Sequence, residues 1–202
     1  AIVVVSDHGF GPFRADVNVP RLLSDRGLLR ASGLAARAGH YLRRTAYKAR
    51  RSWQRRRGRR TASLARPLDA LASWDRRRSP AFALHGSLGG MVYLNTRERF
   101  GTRGAVAPRV YDQLAVDVVA AFMEARHPTS GERLFDDAFV VAERFACDPL
   151  GREWPDVVAL PAAGFHTRTK PRVDQPLVLD DDQMQGTHRP AGVLMIAPSP
   201  LA

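Results

Sequence analysis

The sequence predicts a mixed α/β fold, and three observations carry that expectation. Five short runs rich in branched aliphatic and aromatic residues, at 1–5, 91–95, 139–142, 157–160 and 192–197, have the character of strands. Residues 111–127 place Tyr111, Leu114, Ala115, Val118, Val119 and Phe122 on one face of a helix. Helix-like segments separate the strand-like ones, which is the pattern of stacked sheets and helices.

Each element has its own reason. Ala1-Ile2-Val3-Val4-Val5 is apolar without alternation, as expected of a central strand buried on both faces. Residues 6–18, rich in Gly, Pro and Asp, read as a loop. Residues 19–29 suit a short helix, with Pro20 in its first turn and Gly27 near its end. The glycine-rich stretch 86–90 leads into the strand at 91–95, and the helix at 111–127 is expected to stop at Pro128 and Gly131. No internal repeat is present.

Charge is concentrated in one place. Of the net +11, residues 37–78 supply +13, from fifteen Lys and Arg against Asp69 and Asp75. This stretch, with Gly58 and Pro67 interrupting it, reads as an Arg-rich helical insertion at about residues 30–80. Most charge runs are solvated faces. An alternative is a basic binding module, in which the Arg side chains contact nucleic-acid phosphates or an anionic membrane surface while Trp53 and Trp74 stack on bases. The single Cys147 excludes an internal disulfide and a cysteine metal site. No uninterrupted apolar run approaches the ~18 residues of a membrane-spanning helix.

The chemistry sits directly behind the first strand, in Ser6-Asp7-His8-Gly9. A carboxylate oxygen beside an imidazole nitrogen is a ligand pair suited to Zn, Mn or Fe. Gly9 is read as the residue that lets the backbone turn so that both side chains converge. Downstream, His188 lies in Gly186-Thr187-His188-Arg189-Pro190-Ala191-Gly192, read as a loop just before the last strand. His40, His85 and His127 have no comparable setting, whereas His166, in Gly164-Phe165-His166-Thr167, is a candidate to line a substrate pocket. Asp156, behind Pro155 at a strand start, suits capping or turn formation.

The segment VVSDHGFGPFRADVN with the following Leu22-Leu23 and Gly27-Leu28-Leu29, together with the His188 segment, resembles the alkaline phosphatase superfamily. The nearest likeness is to its type I phosphodiesterase/nucleotide pyrophosphatase branch, over nearly the whole chain except about residues 30–80. The resemblance implies an alkaline-phosphatase-like layered sheet with flanking helices, incomplete here, spanning residues 1–202 as a partial catalytic domain. It implies two divalent metal ions, Zn by preference and Mn or Fe as alternatives, with Asp7 and His8 on one and His188 on the other. Asn18 and Asn95 match positions that order loops.

The reaction it implies is hydrolysis of phosphodiesters or nucleotide pyrophosphates, with a small phosphate ester or nucleotide as partner. The family's Thr or Ser nucleophile, a further Asp and an Asp-x-x-x-His pair have no counterpart in these residues. The expectation is therefore an interior fragment whose nucleophile lies upstream and which is inactive alone. Two ions about 4 Å apart with bonds near 2 Å place Asp7, His8 and His188 within roughly 10 Å of one another at the carboxyl edge of a sheet. The compartment stays open, with the cytoplasm as default.

Overall fold

The structure, a computed structural model, describes residues 2–33, 74–75, 77–85, 89–101, 104–145, 154–169, 173–180, 184–189 and 191–197. It is mixed α/β. Strands β1 (Ile2–Val5), β2 (Gly9–Pro12) and β3 (Ala15–Asn18) lead into helix α1 (Val19–Asp25). After β4 (Ala81–His85) and β5 (Gly90–Leu94) come the short helix α2 (Arg97–Phe100), a 3-10 turn at Pro108–Val110 and helix α3 (Tyr111–Met123). Then follow β6 (Phe135–Val140), α4 (Val141–Phe145), β7 (Val157–Pro161), β8 (Phe165–Arg168), β9 (Val178–Leu179), β10 (Gly186–Arg189) and β11 (Leu194–Ala197).

The largest sheet runs β4-β5-β7-β6, antiparallel throughout, and α3 packs against β6, β7 and β5. The face of α3 that meets it carries Leu114, Ala115, Val118, Ala121 and Phe122, close to the face expected from the spacing. Phe122 meets Phe135 edge to face, 4.8 Å between ring centroids, within a core that also holds Leu23, Leu94, Leu134 and Phe165. α3 stops at Met123, before Pro128. The turn beyond it is closed by His127, whose Nδ1 accepts from the backbone N–H groups of Thr129 and Ser130. α1 starts where Asn18 Oδ1 accepts from Arg21 N, and Gly27 follows it at φ 69°, a left-handed conformation that a Cβ would strain.

A second sheet has the order β8-β3-β9, with β3 and β8 parallel. Ala15, Val17, Phe165 and Thr167 share its core face by the two-residue period of a strand, leaving Asp16, Asn18, His166 and Arg168 on the other. Two further ladders, β1-β11 and β2-β10, are two-stranded ribbons.

Several expectations need correction. β1 forms, but it is not a buried central strand. Among the described residues its one partner is β11, and the large apolar side chains of both strands are 48–70 % exposed. An apolar run specifies a strand that can be buried, and among the described residues nothing covers this one. Residues 6–18 are not a loop, since they hold β2 and β3, whose pairing depends on partners far along the chain. The strand expected at 139–142 begins earlier, at Phe135, and ends at Val140. Asp136 and Asp137 on its exposed side, with a bulge between Phe135 and Asp137, hide its alternation.

Residues 34–73 of the Arg-rich segment lie outside the described residues. Its flanks are tied together: Ala31 bridges Trp74, and Asp75 N donates to Arg30 O. Trp74 is no stacking platform. It is buried against Phe82, ring centroids 4.7 Å apart and planes 19° from parallel. Among the described residues, no helix is long and apolar enough to cross a membrane.

Candidate metal centre

β1 and β2 run antiparallel to β11 and β10 along one interrupted ladder. Strand pairing stops at Val5↔Leu194 and resumes at Gly9↔Arg189, leaving Ser6, Asp7 and His8 in the interruption. Bulged interruptions of this kind re-aim side chains, and Asp7 and His8 lie in this one. Ser6 fastens its edge: Ser6 N donates to Val193 O, and Ser6 Oγ accepts from Val193 N.

His188 comes from the other strand. It lies within β10, opposite Phe10, and not in a loop as its Gly/Pro-rich context suggested. The His8 and His188 rings meet edge to face with centroids 4.2 Å apart, although 180 positions separate them in the chain. Phe10 backs the His188 ring at 6.0 Å. The Asp7 carboxylate, 88 % exposed, comes within 3.6 Å of His8 Nε2.

The tautomer of His8 follows from its neighbour. Its Nδ1 lies 2.9 Å from Gly9 O, an atom that only accepts, so in the neutral ring Nδ1 carries the proton and Nε2 the lone pair. A backbone carbonyl that holds one imidazole nitrogen leaves the other to face a metal, which is how metal-binding histidines are usually oriented. Two imidazoles and a carboxylate form a donor set that fits Zn, with Mn or Fe as alternatives. Among the described residues, no group of three or more His, Cys, Asp or Glu closes round a single point. Asp7, His8 and His188 lie close together without enclosing one ion between them.

Gly9 acts by close approach. Its φ is not left-handed, but a Cβ there would run into the carbonyl oxygen of Ala191 across the ladder, and backbone cannot swing aside. A Gly9→Ala chain is expected to lose about 1–3 kcal/mol, the usual cost of overpacking. Faster amide exchange in β2 and β10 should accompany it, and unchanged exchange would show that the approach is not needed.

His166 falls outside this trio. Its Nδ1 lies 2.9 Å from Oδ1 of Asp16, which is fully buried, and Arg168 Nε lies 2.5 Å from the other oxygen. Neither Asp16 nor Arg168 stood out in the sequence. The available signal was the alternation Asp16-x-Asn18 and His166-x-Arg168 in two strands. Asp156, expected in a turn or cap, is instead a buried junction that accepts from Leu94 N, Arg99 Nη1 and the Tyr111 hydroxyl. Asn18 does order a loop, donating to the carbonyls of Gln175 and Pro176, and Asn95 donates to Ser79 O. His40 lies outside the described residues.

Comparison with protein-family models, with curated proteins and with solved structures gave no match to this chain.

Proposed function

We propose that the chain is part of a metal-dependent phosphohydrolase of the alkaline-phosphatase type, acting on phosphodiesters or nucleotide pyrophosphates. One observation carries the reading: His8 and His188, far apart in sequence, meet at 4.2 Å beside Asp7 where a strand ladder is interrupted. In this reading Asp7, His8 and His188 hold divalent ions. The bound ions would stabilise the negative charge that builds on the attacking and leaving oxygens at phosphorus. The chain's own residues perform the orienting. Gly9 O fixes the His8 tautomer, Phe10 backs the His188 ring, and Ser6 pins the edge of the bulge. The nucleophile and the remaining ligands are, in this reading, not among these 202 residues.

Zinc titration followed by calorimetry tests the reading on the chain itself. The wild-type chain is expected to bind zinc, and His188→Ala to weaken it by more than the roughly 10- to 100-fold that loss of a mere supporting group costs. Equal affinity in the two chains would remove His188 from the site.

A further inference from the structure

The turn after α3 carries a histidine that the metal reading does not use. His127 Nδ1 accepts from two backbone donors, Thr129 N at 3.3 Å and Ser130 N at 3.2 Å. In the neutral ring that nitrogen holds the lone pair, so the proton sits on Nε2. A protonated ring carries a hydrogen on both nitrogens and can accept from neither amide. The ends of the turn do not share this dependence, because His127 N donates to Glu132 O at 2.8 Å and Gly131 N to His127 O at 2.9 Å. Protonation therefore acts on the tip at Thr129 and Ser130 and spares the frame.

Glu132 links that tip to the rest of the molecule. Its carboxylate accepts from Ser130 Oγ at 2.9 Å and from both terminal nitrogens of Arg14, at 2.6 and 3.0 Å. Those bonds, Arg14's first, hold the Glu132 carboxyl below its usual range, so it stays ionised where imidazoles ordinarily titrate. A charge on His127 is felt at the same carboxylate. Arg14 stands between β2 and β3, with its backbone N–H on Gly164 O at 2.7 Å and its guanidinium 5.3 Å from the centre of the Phe165 ring. The His127 ring approaches that Phe165 ring as well, at 6.2 Å. Among the described residues, the other charged groups around the turn are Arg126 and Arg133, bridged across its base, and Glu124 at the end of α3, held by Arg26 at 2.6 Å. Of these, Glu132 is the acid placed to answer a charge on His127, and Arg14 is the cation it would leave.

We infer that His127 is a pH-sensitive latch: neutral, it holds the tip of the turn, and protonated, it releases Thr129 and Ser130 and competes with Arg14 for Glu132. The inference does not rest on the metal reading. NMR of the 202-residue chain tests it, with the pH lowered from about 8 to about 5, across the range in which histidine changes charge. The amide signals of Thr129 and Ser130 should shift together with the His127 ring, at one shared midpoint, and the Arg14 signals should follow. Protection of the two amides, relative to their intrinsic exchange rates, should fall about two- to tenfold, the scale of one net hydrogen bond. His127→Asn puts in a side-chain oxygen that can accept two residues further on and does not titrate. That variant should keep the turn and lose the transition at Thr129 and Ser130. Glu132→Gln should keep the transition at those amides and lose it at Arg14. A His127 ring that titrates while both amides hold still, or the same amide transition in folded His127→Asn, would overturn the latch. An Arg14 transition that survives in Glu132→Gln would overturn the route through Glu132. Far-UV circular dichroism checks folding, and the wild-type titration decides even where a variant fails to fold.

Discussion

Asp7→Ala, introduced into a chain that supplies the proposed nucleophile, is expected to lower phosphodiester turnover by at least about 1,000-fold, beyond the 100- to 1,000-fold typical of losing one preorganised donor. The expectation follows from the role assigned to Asp7, as a ligand of an ion that bears charge at the reacting phosphorus. Stability should change little, within about 0.5 kcal/mol, because a side chain 88 % exposed leaves no cavity behind. His8→Ala should behave likewise. The 202-residue chain alone should not turn over a chromogenic phosphodiester. Turnover preserved in Asp7→Ala, or metal-dependent turnover by the chain alone, would contradict the assignment.

Asp156→Ala should act in the opposite way, striking the fold and not the site. The Asp156 side chain is 2 % exposed and accepts from Leu94 N at 2.7 Å, Arg99 Nη1 at 2.5 Å and the Tyr111 hydroxyl at 2.6 Å. It thereby ties the start of β7 to the end of β5, to α2 and to the first residue of α3. Burial and, after it, the bond to Asp156 push the Tyr111 phenol well above its ordinary pKa, so it remains a donor. Truncation strands a nearly buried guanidinium without its counter-charge, a loss of about 3–5 kcal/mol. Against a total of roughly 5–15 kcal/mol, that removes a large part of the folding free energy. Urea unfolding measures it, and a shift below about 1 kcal/mol would show that Arg99 finds another partner. Asp156→Asn, which keeps the shape, should cost less.

The elements legible in the sequence were those whose signal is local. α3 announces itself by one apolar stripe, α1 by Pro20 and Gly27, and β5, β7 and β11 by runs of branched side chains. β2 and β10 gave no such signal. Their strands, Gly-Phe-Gly-Pro and Gly-Thr-His-Arg, pair because Gly9 admits the Ala191 carbonyl and Gly186 admits the Phe10 ring, contacts that exist only once the two segments meet. β1 shows the complementary limit, because its residues specify a strand but not what surrounds it. The candidate site divides along the same line. Asp7, His8 and His188 stand in short motifs that sequence alone can pick out. The Asp16 pairs with His166 and Arg168 join residues 150 or more positions apart, and no local pattern joins them.

The meeting of His8 and His188 over one bound ion cluster is the central claim, and zinc K-edge X-ray absorption tests it most directly. Zinc added to the wild-type chain should show imidazole scattering, with nitrogen or oxygen neighbours at about 2.0–2.1 Å. That imidazole signature should fall in His8→Ala and again in His188→Ala. Zinc bound without imidazole, or with a spectrum unchanged by both substitutions, would contradict the account.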